Sequence, residues 1–279
     1  MTGQASASAS RVGSGEPWDD SSLPVSSRLD GATVPPTRSP AADDEVVLRG
    51  GRITRGVVRV GSTVRRPPSP FAASVLRHLE RRGFAGAPRW LGHDDAGRDV
   101  LSYLPGAVPE KFRTWSDAQI GAAGALAREL HEATRGSELA GSSPVVCHHD
   151  LGPNNAVFRD DVPVAFIDFD LAAPGNPLED VGYMAWLWCV SSKPTAPSAE
   201  SQAAQVRVLA NAYGLSTHER TLLVDAMLER QSRNAHFWRD LPSESVDATP
   251  EQITERIAWS HREHAFTARH RAALAAALA

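Results

Sequence analysis

Three oxygen-bearing side chains are closely spaced in the middle of the chain: Asp150, Asn155 and Asp168. Asp150 and Asn155 lie in a Gly-, Pro- and Asn-rich segment, and Asp168 follows a short apolar run. Carboxylate and amide oxygens are hard ligands that suit Mg²⁺ bound together with phosphate groups. An aspartate that is not a ligand can accept a proton from a hydroxyl group that attacks phosphorus. These residue types together indicate phosphoryl transfer.

Two apolar runs around a polar turn connect these residues. Ala156-Val157-Phe158 precedes Arg159-Asp160-Asp161, and Val162–Phe166 follows it. This pattern predicts a β-hairpin, whose ends return to the same place. We therefore expect Asn155 and Asp168 to lie side by side, with Asp150 just upstream in a loop that faces a cleft.

The motif His148-x-Asp150-x-x-x-x-Asn155, followed by Ile167-Asp168, resembles a known family. It is similar to the catalytic loop and the metal-binding aspartate of the aminoglycoside phosphotransferase / choline kinase-like family. The segment from Pro174 to Asp180 also resembles that family, and the likeness extends from about residue 45 to the C-terminus. It implies an α+β, two-lobed protein-kinase-like fold with a small β-rich N-lobe (45–105) and a mostly helical C-lobe (106–279).

The resemblance also implies roles for the site residues and the ligands. Asp150 is expected to be the catalytic base, with Mg²⁺ held by Asn155 and Asp168. ATP or GTP would be the co-substrate, and the acceptor would be a hydroxyl group of an antibiotic, sugar, amino alcohol or nucleoside. Three residues are expected to support the site: His148 braces the loop, Asp170 supports the site or contacts phosphate or substrate, and Asp180 fixes the loop in position.

The N-lobe reads as a strand, a Gly-rich loop containing Gly51, and two further strands, the last at Thr63–Arg66. Glycine lets backbone N–H groups come close to phosphates, so Gly51 is a candidate nucleotide contact. In the resemblance, Ser102 and Leu104 belong to the hinge between the lobes, whose backbone would pair with the adenine edge.

The lysine that the family normally carries on its third strand is missing. The only two lysines are Lys111 and Lys193, so Arg65 or Arg66 must take its place. Side chains alternate along a strand, so one of the two arginines points inward, and we predict Arg65. The following helix, 71–82, carries Ala72 where the family has a glutamate partner, so the usual ion pair is expected to be absent.

Helical signals dominate the rest of the chain. The segment 116–135 has a capping box at its start, and an apolar segment, 181–190, predicts a buried helix under the site. Further helices are expected at about 200–213, 216–239 and 251–278. Residues 1–44 are rich in Ser, Ala, Gly, Pro and Asp, and this composition predicts a disordered tail.

Composition limits the partners. The formal net charge of −4 does not indicate a nucleic-acid partner. No apolar run has transmembrane length, so no membrane association is expected. Cys147 and Cys189 lie in apolar contexts and do not form a disulfide framework, which favours a cytoplasmic protein. Acidic and basic residues nearly balance after residue 200, which does not favour a polycationic acceptor. The sequence gives no indication of the oligomeric state.

Two other readings remain open. The missing lysine and glutamate are compatible with a catalytically silent, kinase-like nucleotide-binding protein. His149-Asp150 also resembles the adjacent ligand pair of an HD-type metal phosphohydrolase, with His131 and a later aspartate as further ligands. That architecture requires the pair on a helix, whereas a Pro, two Asn and a hairpin follow here.

Overall fold

The computed structural model describes residues 45–48, 56–110, 113–241 and 248–279, all of which belong to one compact unit, Ala42–Ala279. The predicted tail, 1–44, and Gly51 lie outside the described residues. The described strands are β1 (Val46–Val47), β2 (Val58–Val60), β3 (Thr63–Arg66), β4 (Trp90–His93), β5 (Asp99–Ser102), β6 (Val145–Cys147), β7 (Ala156–Arg159), β8 (Val162–Phe166) and β9 (Ala173–Gly175). The described helices are α1 (Pro70–Arg81), α2 (Asp117–Thr134), α3 (Pro177–Met184), α4 (Ala199–Tyr213), α5 (Thr217–Asp240), α6 (Pro250–Arg269) and α7 (Arg271–Leu278).

The N-lobe contains a five-stranded antiparallel sheet with the strand order β1-β2-β3-β5-β4. The pairing of β3 with β5 sets Arg66 opposite Asp99. Helix α1 starts with a proline at its first turn, a position where the missing N–H has no helical partner to lose. Its buried face consists of Ala72, Val75, Leu76 and Leu79.

The C-lobe is mostly helical, so the predicted α+β arrangement of a β-rich part followed by a helical part is confirmed. The predicted capping box at the start of α2 is present, with Ser116 as the N-cap and Gln119 as its partner. Helix α2 packs against α4, α3 packs against α5, and α5 packs against α6.

The prediction of one helix over 251–278 is wrong, because two helices, α6 and α7, meet at His270. No glycine or proline marks the break in the sequence. Leu274 and Leu278 of α7 are buried, and α7 packs against α4. Tertiary packing therefore ends a segment whose local sequence favours a continuous helix.

The apolar segment after Asp180 continues α3 as a π-helical turn, Ala185–Cys189. Trp188 lies in a ring cluster with Trp115 and Phe158, whose centroids are 5.0 and 6.1 Å from it. Its indole N–H donates to the Leu151 carbonyl at 2.9 Å. Through Trp188, the buried aromatic cluster therefore supports the loop that carries Asp150.

Strand pairing explains how distant residues come together. Strands β7 and β8 form the predicted hairpin through Asp160 and Asp161, whose positive φ angles of 48° and 62° suit a two-residue hairpin turn. Strand β6 pairs with β9, with Val145 opposite Gly175. The loop after β6 and the segment before β9 are consequently neighbours. Across the described part of the chain, every helix is too short or too polar to cross a membrane.

Candidate active site

The Asp150 carboxylate lies in the loop between β6 and β7, and a donor holds each of its oxygens. The Tyr183 hydroxyl donates to Oδ1 at 2.7 Å, and the Asn155 amide Nδ2 donates to Oδ2 at 2.7 Å. The same Asn155 nitrogen also donates to the Asp150 backbone carbonyl at 3.0 Å. Burial and the nearby Asp150 carboxylate raise the pKa of Tyr183, so the phenol keeps its proton. The carboxylate is thus fixed in orientation while remaining partly accessible.

Asp180 organises the backbone immediately before Asp150. Its fully buried carboxylate accepts the backbone N–H groups of His148 and His149, each at 2.7 Å. It also lies 3.0 Å from His131 Nε2. Burial raises the pKa of Asp180, but the hydrogen bond from His131 and the neighbouring histidines outweigh it and bring the pKa well below its usual range. His149 has a φ of 63°, a strained value for a histidine, and these contacts hold it there.

His148 connects the two halves of the hairpin region. Its Nδ1 accepts the Asp150 backbone N–H at 3.2 Å, so the proton of a neutral ring is on Nε2. That nitrogen lies 3.1 Å from the Ile167 carbonyl, to which it donates. The ring is fully buried against Phe169, with the two centroids 4.5 Å apart. The loop that carries Asp150 is therefore tied to the strand end that carries Asp168.

Asp168 adopts the left-handed conformation, with a φ of 69°, which short polar side chains tolerate better than most. The Ile167 N–H donates to the Asn155 carbonyl at 2.9 Å, so the hairpin brings Asn155 and the Asp168 segment together. Burial and the carboxylates of Asp170 and Asp150 raise the pKa of Asp168, while Arg66 opposes this shift. Asn155 and Asp168 carry an amide oxygen and a carboxylate, which are donor types that fit Mg²⁺.

The prediction that Arg65 points into the site is wrong; the inward arginine is Arg66. Arg66 is 7% exposed, and its guanidinium makes ion pairs with Asp168, at 3.4 Å, and with Asp170. Arg65 points to the opposite face, where its Nε lies 3.7 Å from Asp94. Strand alternation required one of the two to face inward, and the pairing of β3 with β5 decides which.

The predicted nucleotide contacts of the N-lobe, Ser102, Leu104 and Gly51, differ from one another in their surroundings. The Ser102 N–H donates to the Arg89 carbonyl within the sheet, so it is not available to an adenine base. Leu104 lies beyond the end of β5, half-buried, at the passage between the lobes. Gly51 lies outside the described residues.

Two residues close to Asp150 were missed by sequence reasoning, Tyr183 and Arg230. Tyr183 follows Asp180 by three positions, so both fall on one face of α3, a spacing that could have revealed it. The Arg230 guanidinium donates to the His149 carbonyl at 2.8 Å and lies over the Tyr183 ring, 4.7 Å from its centroid. Arg230 comes from α5, 81 positions after His149, and no local pattern marks it.

The geometry speaks against the phosphohydrolase reading. His149 and Asp150 are in a loop rather than on a helix, and the His149 ring faces the Leu171 carbonyl and Glu179. Although His131, Cys147 and Asp180 lie close enough to share an ion, their atoms already bond within the protein. Cys147 donates to the Asn176 carbonyl, and burial raises the pKa of its thiol, so in the metal-free protein the thiol keeps its proton.

Comparison with known proteins agrees with the fold and with the family resemblance of the sequence. The sequence model of the phosphotransferase enzyme family matches residues 133–223, from the last residues of α2 to the first part of α5. The trifolitoxin immunity protein of Rhizobium leguminosarum bv. trifolii is 32% identical over 262 residues, covering 85% of this chain and all of that protein.

Solved structures give the same fold. A choline/ethanolamine kinase family protein from Mesorhizobium loti superposes with a TM-score of 0.50 at 20% identity, over 82% of this chain and 93% of that one. APH(2″)-IIa, in its ternary complex with streptomycin and ATP, superposes with a TM-score of 0.53 at 14% identity, over 77% of this chain and 93% of that one. The predicted two-lobed, kinase-like fold is confirmed by these likenesses.

Proposed function

This chain belongs to the phosphotransferase enzyme family, and from that membership we propose that it transfers the γ-phosphoryl group of ATP or GTP to a hydroxyl group of a small molecule. The observation that carries the proposal is the orientation of Asp150. Its two carboxylate oxygens are held by Tyr183 and Asn155, next to the segment that carries Asp168. A carboxylate fixed in this way suits proton transfer to and from a bound hydroxyl group.

In this proposal Asp150 accepts the proton of the acceptor hydroxyl as that oxygen attacks phosphorus. Asn155 and Asp168 hold Mg²⁺, which supplies charge neutralisation at the transferred phosphate. Arg66 takes the position of the missing lysine, because it is the buried cation beside Asp168. An arginine keeps its charge and can contact phosphate oxygens through more than one N–H group.

The base of the nucleotide would pair with the backbone at Leu104, and the loop around Gly51 would cover the phosphates. Both remain predictions, and the co-substrate is left as ATP or GTP. The cytoplasmic location predicted from the two cysteines also remains a prediction. Both thiols are free and buried, which is compatible with it.

The surroundings of Asp150 bear on the class of acceptor. Arg230 is 9% exposed, and its guanidinium donates to the neutral His149 carbonyl at 2.8 Å. Its positive charge lies beside Tyr183, whose hydroxyl contacts Asp150. A cationic group in this position disfavours a polycationic aminoglycoside and favours a neutral or anionic acceptor.

A second candidate function is protection against a toxin. It is favoured by the 32% identity to the trifolitoxin immunity protein over the full length of that protein. Here the acceptor hydroxyl would belong to a toxin, which phosphorylation inactivates. Expression of the chain in a trifolitoxin-sensitive strain tests this candidate, and protection should be lost in Asp150→Asn.

The decisive experiment for the transferase activity measures ADP release and a new phosphate ester, the latter by phosphorus NMR. Mg·ATP would be offered with a panel of neutral, anionic and cationic hydroxyl compounds. Asp150→Asn should lower turnover by roughly a hundredfold or more, the scale of general-base catalysis, while nucleotide affinity stays unchanged. Asp95→Asn, at an exposed position, is the control. Nucleotide binding without any turnover across the panel would favour the catalytically silent reading instead.

A further inference from the structure

Arg66 closes a contact between the two lobes. It is the last residue of β3 in the N-lobe, and its partners Asp168 and Asp170 belong to the segment between β8 and β9. The guanidinium contacts both carboxylates, through Nη2 with Asp170 and through Nη1 with Asp168 at 3.4 Å. The Arg66 side chain is buried whereas those of Asp168 and Asp170 are 38% and 22% exposed, so the pairs are partly shielded from solvent and from salt.

Helix α1 provides no carboxylate for this arginine. Its inward face is apolar, formed by Ala72, Val75, Leu76 and Leu79. The one acidic residue of α1, Glu80, is in its last turn, where it lies 3.5 Å from Arg89 on the surface. The counter-charge for Arg66 therefore comes from the C-lobe.

A donor on Arg66 also lacks a partner. Its Nε is buried and makes no hydrogen bond within the part of the chain that the structure describes. Arg66 and Asp168 line a small cavity between α1 and β5, together with Ser69, Leu76 and Leu101. A buried N–H without an acceptor is unfavourable, and a phosphate oxygen is an acceptor that would satisfy it.

We propose that Asp170 is the positioning residue for Arg66, and that it takes over the role that a helix-borne carboxylate would otherwise have. This inference rests on the proposed function. Once Asp168 serves as a metal ligand, its charge is shared with the ion and its attraction for Arg66 weakens. Asp170 is not assigned to the metal, so it keeps the guanidinium directed towards the nucleotide phosphates. Alignment of the phosphate-binding cation then depends on the C-lobe segment 168–170, not on α1.

The alternative is a purely structural clamp, in which Arg66 joins the lobes but never contacts the nucleotide. The two possibilities differ in what the loss of Asp170 changes. A clamp contributes to the stability of the fold, whereas a positioning residue also contributes to nucleotide affinity, and does so only through Arg66.

A double-mutant cycle read out by calorimetry separates them. The affinity for Mg·ATP would be measured for wild type, Asp170→Asn, Arg66→Gln and the double variant. We expect Asp170→Asn to weaken binding roughly tenfold, the scale of one buried charge-assisted contact, and Arg66→Gln to weaken it at least as much. The double variant should bind no more weakly than Arg66→Gln alone, because Asp170 acts through Arg66.

Two further variants complete the test. Glu80→Gln removes the one carboxylate of α1 and should leave the affinity unchanged. Asp170→Glu keeps the charge and should bind Mg·ATP more tightly than Asp170→Asn, which also guards against a variant that merely folds poorly.

Wild-type affinity in Asp170→Asn, or losses that simply add in the double variant, would overturn the inference while leaving the proposed function standing. Absence of any Mg·ATP binding by the wild-type chain would instead remove the proposed function, and this inference with it.

Discussion

At the scale of single residues, Tyr183 is the contact of Asp150 most open to a direct test. Its hydroxyl lies 2.7 Å from the carboxylate that we propose as the base. Tyr183→Phe removes this one donor and leaves the ring under Arg230. We expect turnover to fall roughly tenfold, consistent with loss of a hydrogen bond to a charged group, while the affinity for Mg·ATP stays the same. Steady-state kinetics measure the effect, and Asp95→Asn, at an exposed position of the N-lobe, is the control. Unchanged turnover would mean that Asn155 alone orients the base.

Asp180 makes stability depend on pH. Its pKa in the folded protein is depressed, so its contribution is complete above the unfolded value of about 3.9 and is lost as the pH falls below it. Asp180→Asn should lower the free energy of unfolding by roughly 3–5 kcal/mol at pH 7, since it breaks a buried, paired group. The difference in free energy of unfolding between wild type and Asp180→Asn should become smaller below about pH 4. Urea unfolding at several pH values measures this difference. A difference that does not change with pH would contradict a depressed pKa for Asp180.

At the scale of elements, the close approach of α3 and α5 reverses the usual effect of replacing a helical glycine. A Cβ on Gly182 would lie 2.8 Å from the backbone carbon of Ala226 in α5. Gly182→Ala should therefore destabilise the fold by about 1–3 kcal/mol and displace Tyr183. Gly121→Ala, in α2, meets its nearest atoms only at 3.9 Å and should instead stabilise by up to about 1 kcal/mol. Thermal unfolding of the two variants provides the comparison. Equal changes in stability would show that α3 and α5 can move apart to accommodate the added methyl group.

The elements also show where prediction from sequence succeeds. The hairpin and the capping box of α2 were predictable because each depends on residues that are close in the sequence. Two apolar runs around a polar turn predict the hairpin, and Ser116 three positions before Gln119 predicts the capping box. The inward arginine was not, because two adjacent arginines satisfy the same alternation and only the pairing of β3 with β5 distinguishes them. The break at His270 has the same origin, since packing against α4 and not a local signal ends α6.

At the scale of the whole molecule, the proposed site draws on both lobes, so nucleotide and metal should stabilise the fold together. Mg·ATP at about a hundred times its dissociation constant contributes about 2.7 kcal/mol to the folded state. For a chain of this size, that corresponds to a rise in Tm of roughly 5–10 °C. Removal of the metal with EDTA should abolish most of this rise, and Asp168→Ala should do the same. Differential scanning fluorimetry measures it. An equal rise with and without Mg²⁺ would count against the ligand roles of Asn155 and Asp168.

The two cysteines have a practical consequence for following motion between the lobes. Cys147 and Cys189 are both buried, and burial raises the pKa of each thiol, so neither offers a reactive thiolate to an alkylating dye. New thiols at exposed positions such as Asp95 and Glu251 would then be labelled selectively in the otherwise unaltered chain. Fluorescence energy transfer between two such dyes could report opening and closing in real time, without first removing the native cysteines.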